Sequence, residues 1–381
     1  MSKNDMLRQF VISNFDNANF NFSDFIFGKG QGNGIKYAAT DLPPANGNLG
    51  DKLLQPINKN KIKIFVDGLI SLGINTVALQ CSLPLLFDDY VDEVGNTSAD
   101  YLSFYKFVVE YLKSKNLFVF IEISPVFSGT KYSNVQYNYS ALTKEEYLQK
   151  YYSQIVTIIE QIVPDFISFV HEPDTANTIT GICVSDEEYI GLLKRVYDYN
   201  KDIPSNVKIG GGMPISESFE RIVQVNDYVD FYNIHVYPYE IPFGVNNTSN
   251  SLIKLYNICQ YLTKPAFIGE TWVFKSILFE YFENISPVEL SEKFYDRNTW
   301  NFEEIDADYI RSLCELCDTL PNLYGFCLFW PVFLFANIDG TNMQPDMAYT
   351  EANRAAFENI LSGTTSVSGT ALRTILRFSN Q

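Results

Sequence analysis

From Gly34 onward the chain alternates between two arrangements of apolar residues. Short, nearly continuous apolar runs give way to longer stretches in which apolar positions return every third or fourth residue. The first arrangement suits strands buried on both faces, and the second suits amphipathic helices. Strands are predicted over GIKYAAT (34–40), INTVALQC (74–81), LFVFIEIS (117–124), DFISFVHE (165–172), NVKIGGGM (206–213), DYVDFYNIHVYPY (227–239), KPAFIGETW (264–272) and LYGFCLFWP (323–331). Helices are predicted over KNKIKIFVDGLISLG, stopping at Gly73, and over 100–116, 143–162, 185–200, 217–224, 251–261, 307–320 and 345–363. Ser185 and Glu188 form a capping box at the start of one of them.

Eight strands, each followed by a helical segment or its remnant, predict a single (β/α)8 barrel over 34–363. An open doubly wound sheet would place a glycine-rich phosphate turn after its first strand. GIKYAATDLPP offers none. Residues 1–33 mix Asn, Phe and Gly without a sustained period and read as an N-terminal extension packed on the barrel, and 364–381 as a C-terminal tail. The glycines from Gly28 to Gly34 lack the βαβ frame of a nucleotide site.

A barrel gathers its functional residues at the C-terminal ends of its strands. Taken in order, those ends carry Asp41, Gln80, Glu122, the pair His171 and Glu172, Met213, then His235 and Tyr237, then Glu270 with Trp272 just beyond, and Trp330. Both histidines of the chain and two of its three tryptophans fall on this one face. A buried strand that ends in an acid followed by Pro173 delivers a carboxylate to the rim and turns away. Glu270 supplies a second carboxylate on a strand that faces it across the mouth.

Composition narrows the partners. Asp and Glu outnumber Lys and Arg by 45 to 28, a net charge of −17 that repels nucleic acid and anionic lipid. No apolar stretch approaches the roughly 20 residues of a membrane span, and MSKNDMLRQFVISNF lacks the apolar core of a signal peptide. With 30 Phe and 25 Tyr the chain has aromatic surface to spare beyond packing, which suits the lining of a sugar cleft and equally suits a simple Tyr- and Asn-rich compositional bias. The six cysteines lack the spacing of a disulfide scaffold, and Cys314 and Cys317 read as buried thiols in a helix. No cofactor is expected, neither histidine has the ligand company of a zinc site in sequence, and a monomer is expected.

These strand ends resemble clan A of the retaining β-glycoside hydrolases, whose members are (β/α)8 barrels with an acid/base glutamate after strand four and a nucleophile glutamate after strand seven. HEP at 171–173 and GET at 269–271 stand in those places, IHVYP at 234–238 is similar to the strand-six His-x-Tyr, FWP at 329–331 to the strand-eight tryptophan, and LGINTVALQ at 72–80 to the strand-two entry. The likeness runs from Gly34 to Gly363 and is family 5-like or family 26-like. It implies hydrolysis of a β-linked polysaccharide or oligosaccharide of mannan or β-glucan type. Glu172 would be the acid/base, kept protonated by the charge of the nucleophile Glu270. Tyr237 would hold Glu270 as an anion and Trp330 would floor the sugar site. His171, His235, Trp272, Glu122 and Gln80 would line the cleft, His235 in a supporting role. Ala78 stands where the clan has arginine, and His171 where it commonly has asparagine. A carbohydrate-binding barrel that has lost catalysis, and a transglycosylase using the same carboxylates, remain open at this level.

Overall fold

The computed structural model describes residues 34–212, 219–238, 251–273, 275, 297 and 299–379, together with positions 9, 12 and 13. Eight strands, β1 Tyr37–Asp41, β2 Thr76–Gln80, β3 Phe118–Glu122, β4 Phe166–Ser168, β5 Lys208–Gly211, β6 Phe231–His235, β7 Ala266–Thr271 and β8 Leu323–Leu328, pair in sequence order. All the pairings are parallel, and β8 returns to β1, so the sheet closes into the predicted (β/α)8 barrel. Helices Pro56–Leu72, Ser98–Ser114, Lys144–Thr157, Asp186–Asp202 and Glu303–Thr319 connect successive strands. The local signals act as expected. Gly73 ends the first helix in the left-handed conformation, with φ 90°, and Ser185 with Glu188 closes the predicted capping box.

Three differences from the sequence pattern have physical causes. β4 stops at Ser168, well before Glu172, and Pro173 begins a helix of its own, Pro173–Thr180, while keeping Glu172 itself out of helical geometry. The acid therefore sits on a turn between strand and helix. At 226–228 the chain makes a short 3-10 turn, so β6 begins only at Phe231. The stretch after Gly363 forms helix Val367–Ser379, whose Leu372 and Leu376 are buried in the main core. The expected packing of 1–33 lies outside the described residues, apart from Ile12, which touches that core. No helix among the described residues is long and apolar enough to cross a membrane.

Side chains along a strand alternate between the helix layer and the barrel interior. Inside, Ala39, Ala78, Phe120, Phe231, Phe267 and Cys327 form one apolar layer, with Tyr37 and Phe166 packed on it. Phe120 meets Phe267 and Phe231 edge to face, with ring centroids 5.3 and 5.9 Å apart. Two residues further along the same strands stand Asp41, Gln80, Glu122, Ser168 and Asn233, all buried and all polar. One step of the alternation thus carries the interior from hydrocarbon to hydrogen-bonding groups. Ala78, where the clan's arginine was expected, belongs to the lower layer, and Gln80 is the β2 residue that reaches the upper one.

Candidate active site

Above the polar layer opens a cavity of about 550 Å³. Its inner wall is formed by Gln80, His171, Glu172, His235, Tyr237, Glu270, Trp272 and Trp330, and its outer part by asparagines, Lys52, Lys131 and Tyr132. Of the residues singled out from the strand ends, Gln80, His171, Glu172, His235, Tyr237, Glu270, Trp272 and Trp330 line it, the buried Asp41 and Glu122 do not, and Met213 lies outside the described residues. Glu122, expected in the cleft wall, is 1% exposed and lies beneath the floor.

Glu270 reaches the cavity through an irregularity. β6 and β7 run in step through Ile234 and Ile268, after which His235 pairs with Glu270. Regular alternation from Phe267 would turn Gly269 inward and Glu270 away, and the bulge re-aims the carboxylate. Glycine is needed at 269, because a Cβ there would lie 1.8 Å from Asn233 Oδ1 and 2.7 Å from Glu122 Oε1. Tyr237 donates its hydroxyl to Glu270 Oε1 at 2.9 Å, and Trp272 donates Nε1–H to the same oxygen at 3.0 Å. Trp330 has φ 59°, a left-handed conformation costing a non-glycine residue about 1–2 kcal/mol. The Asp41 carboxylate accepts its backbone N–H at 2.8 Å and fixes this turn of the wall.

Beneath the floor, Glu122 Oε2 accepts from the Gln80 amide at 2.8 Å and Oε1 from the Asn233 amide at 2.7 Å. Asn233 also donates to Ser168 Oγ at 3.0 Å. His235 spans the distance from this buried acid to the cavity, with Nε2 3.4 Å from Glu122 Oε1 and Nδ1 2.7 Å from Glu172 Oε1. The His171 ring lies against it, centroids 4.9 Å apart, and His171 Nδ1 is buried without a hydrogen-bond partner among the described residues. The chain has two histidines, and both are here.

Charge follows from this arrangement. Burial opposes a charged His235, but hydrogen bonds and charges from Glu122 and Glu172 overcome it and raise its pKa well above the ordinary value. Burial lowers the pKa of His171, which stays neutral beside its charged neighbour. Burial also works to raise the Glu172 pKa, yet the bond and charge of His235 win and bring it down to about 2. Glu270 goes the other way, up to about 7, because burial and the negative charges of Glu172 and Glu122 outweigh His235 and the Trp272 bond. Asp41 is pushed up to about 8, chiefly by burial. The directions of these two shifts run opposite to the expectation of a protonated Glu172 beside an ionised Glu270. The cause is His235, which bonds Glu172 directly through Nδ1 and acts on Glu270 through charge alone.

Contrary to the expectation that the histidines lack ligand company, Glu122, His171 and His235 bring potential ligand atoms within 4.8 Å of one another. A tetrahedral zinc would hold such donors about 3.4 Å apart. Here both Glu122 oxygens and both His235 nitrogens are engaged in hydrogen bonds, so the group is organised around protons. Asn233 was missed in the strand-end reading. It lies two residues before His235 on the inward face, so the strand period itself pointed to it. Cys314 and Cys317 are buried free thiols, as their helical setting suggested.

Solved structures share this barrel at low identity. An exo-β-1,4-mannosidase from an Opitutaceae bacterium matches with a TM-score of 0.57 at 12% identity, over 92% of this chain and 61% of its own. The catalytic domain of a family 53 glycoside hydrolase from Ignisphaera aggregans matches at 0.48 and 16% identity, over 81% and 89% of the two chains. A family 5 glycoside hydrolase from Prevotella bryantii matches at 0.47 and 14%, over 87% and 100%. No protein-family model and no curated protein sequence matches the chain. What the chain shares with these enzymes is the (β/α)8 fold.

Proposed function

We propose that the chain is a retaining β-glycoside hydrolase that cleaves a β-linked polysaccharide or oligosaccharide, with Glu270 as nucleophile and Glu172 as acid/base. The observation that carries this reading is that Glu172 and Glu270 line one cavity, with Tyr237 and Trp272 donating to the Glu270 carboxylate and His235 bonded to Glu172. Double displacement needs one protonated and one ionised carboxyl group across the scissile bond. Glu270 attacks the anomeric carbon from a position fixed by Tyr237 and Trp272. Glu172 protonates the leaving oxygen and later activates water. The orphaned His171 nitrogen supplies a partner for a sugar hydroxyl, and Trp330 and Trp272 give pyranose C–H faces an aromatic surface. Mannan and β-glucan substrates come first on a test panel. The shared barrel with an exo-β-1,4-mannosidase makes β-mannosides the natural first choice.

Reducing-end release from mannan, cellulose-type, mixed-linkage and galactan substrates tests the activity, and NMR of the first-formed anomer tests retention. Inversion would remove Glu270 as nucleophile. A second reading, a barrel that binds sugar without cleaving it, is favoured by the lowered Glu172 and raised Glu270 proton affinities and by Ala78. It predicts saturable binding to the same glycans with no new reducing ends.

A further inference from the structure

An acid/base carboxyl that rests as an anion must obtain its proton from somewhere. The nearest proton to Glu172 is on His235 Nδ1, 2.7 Å from Oε1. His235 is 2% exposed, and its other nitrogen faces Glu122, itself 1% exposed, so solvent does not reach this end of the chain of groups. Glu122 has both oxygens satisfied by the amides of Gln80 and Asn233, an arrangement that favours the anion. The charged and titratable groups facing His235 are Glu122 from β3, His171 and Glu172 from the turn after β4, and Glu270 from β7. Three of the four are carboxyl groups, and the fourth is held neutral.

Building on the glycosidase reading, we propose that His235 is the proton reservoir of the acid/base and that Glu122 is the positioning residue that keeps this reservoir filled. In the first step one proton leaves His235 Nδ1, is carried by the Glu172 carboxyl and ends on the glycosidic oxygen. The C1–O bond breaks with its electron pair on that oxygen, and Glu270 forms an ester bond to C1. His235 is then neutral, with Nε2–H directed at Glu122. In the second step water attacks C1, the ester bond breaks with its pair on Glu270, and the proton of water passes through Glu172 back to Nδ1. The cycle consumes no proton from bulk solvent. Activity is retained to the pH at which His235, not an isolated carboxylic acid, gives up its charge.

The test uses the full chain and its pair of histidines, which make a two-residue imidazole ¹⁵N spectrum if no histidine tag is added. In the wild type one imidazole is expected to stay cationic well above pH 6.5 while the other is neutral. Glu122→Gln removes an opposite charge at close range, which lowers the His235 transition by roughly one unit or more. The basic limb of kcat/KM, measured on a β-glycan, is expected to fall by the same amount. A 2,4-dinitrophenyl glycoside, whose leaving group needs no proton, should show no basic limb in the wild type. The relay is overturned if the wild-type imidazoles are both neutral at pH 7, a measurement that depends on no variant. It is equally overturned if the His235 transition moves in Glu122→Gln while the basic limb stays in place. Absence of turnover on every β-glycoside sinks the glycosidase reading itself. Turnover with an unmoved limb sinks only the relay.

Discussion

The two ends of the barrel interior are built from the same strands, one alternation step apart, and they do opposite things. The N-terminal end is an aromatic layer beside a cavity of about 260 Å³ lined by Tyr37, Phe120, Phe166, Phe231 and Phe267, with Lys208 and Asp230 as its charged residues. The C-terminal end places Glu122, His171, Glu172, His235 and Glu270 in mutual electrostatic contact around a cavity about twice as large. Buried charges are costly unless they are paired and hydrogen-bonded. The upper layer meets that condition with Gln80, Asn233 and Tyr237, and it rests on a lower layer that contributes packing alone. The comparison teaches a division of labour. The lower end supplies apolar packing, and above it stands a group of charges whose proton affinities are set by neighbours rather than by residue type.

Substitutions at the two ends should therefore separate activity from stability. Glu172→Gln and Glu270→Gln are each expected to reduce turnover of an unactivated β-glycan by about 10²–10⁴-fold or more, read from initial rates. Near-normal hydrolysis by either variant would remove it from the proposed pair. Phe120→Ala, at a fully buried ring of the lower layer, should cost about 3–5 kcal/mol in chemical denaturation and leave kcat of the folded fraction close to wild type. A large fall in kcat at unchanged stability would break the division.

A finer separation uses pH. The folded pKa of Glu270, about 7, stands above the roughly 4.3 of an unfolded glutamate. The unfolded chain therefore releases this proton first, and the wild type loses stability as pH rises from about 4.3 to 7. Glu270→Gln, which cannot ionise, should match the wild type in melting at pH 4 and exceed it at pH 8 by about 1–2 kcal/mol, discounted for partial solvent access. Equal stability of the two at pH 8 would place Glu270 in an ordinary solvated setting. The smallest effect is expected from Tyr237→Phe. Loss of one hydrogen bond to an anion should cost about tenfold in kcat/KM and move the acidic limb, near pH 7 for Glu270, upward. An unshifted limb would mean that the Tyr237 bond does not act on the anion.

Much of this was legible in the chain. Continuous apolar runs separated by helical spacing announced the barrel, and the acid before Pro173 and the acid of GET marked two positions on its rim. Asn233 was also within reach, since it shares the inward face with His235. The tail helix Val367–Ser379 was not, because Gly369 and its Ser and Thr residues weaken the local signal. It is held by Leu372 and Leu376 against the main core. The position of Glu122 under the floor, rather than in the cleft wall, depends on how far the side chains of neighbouring strands project into the same layer.

Period and residue type are properties of neighbours in sequence, and they sufficed to determine the eightfold strand-helix alternation, the inward-facing positions and the acids at the strand ends. The aim of Glu270 was decided by a bulge between β6 and β7, a property of two paired strands that neither segment carries alone. The distribution of protons among Glu122, His171, Glu172, His235 and Glu270 was likewise decided only by the closed barrel. Coulomb and hydrogen-bond energies depend on distance through a shielded interior, and those distances exist only once strands far apart in the chain have been brought side by side.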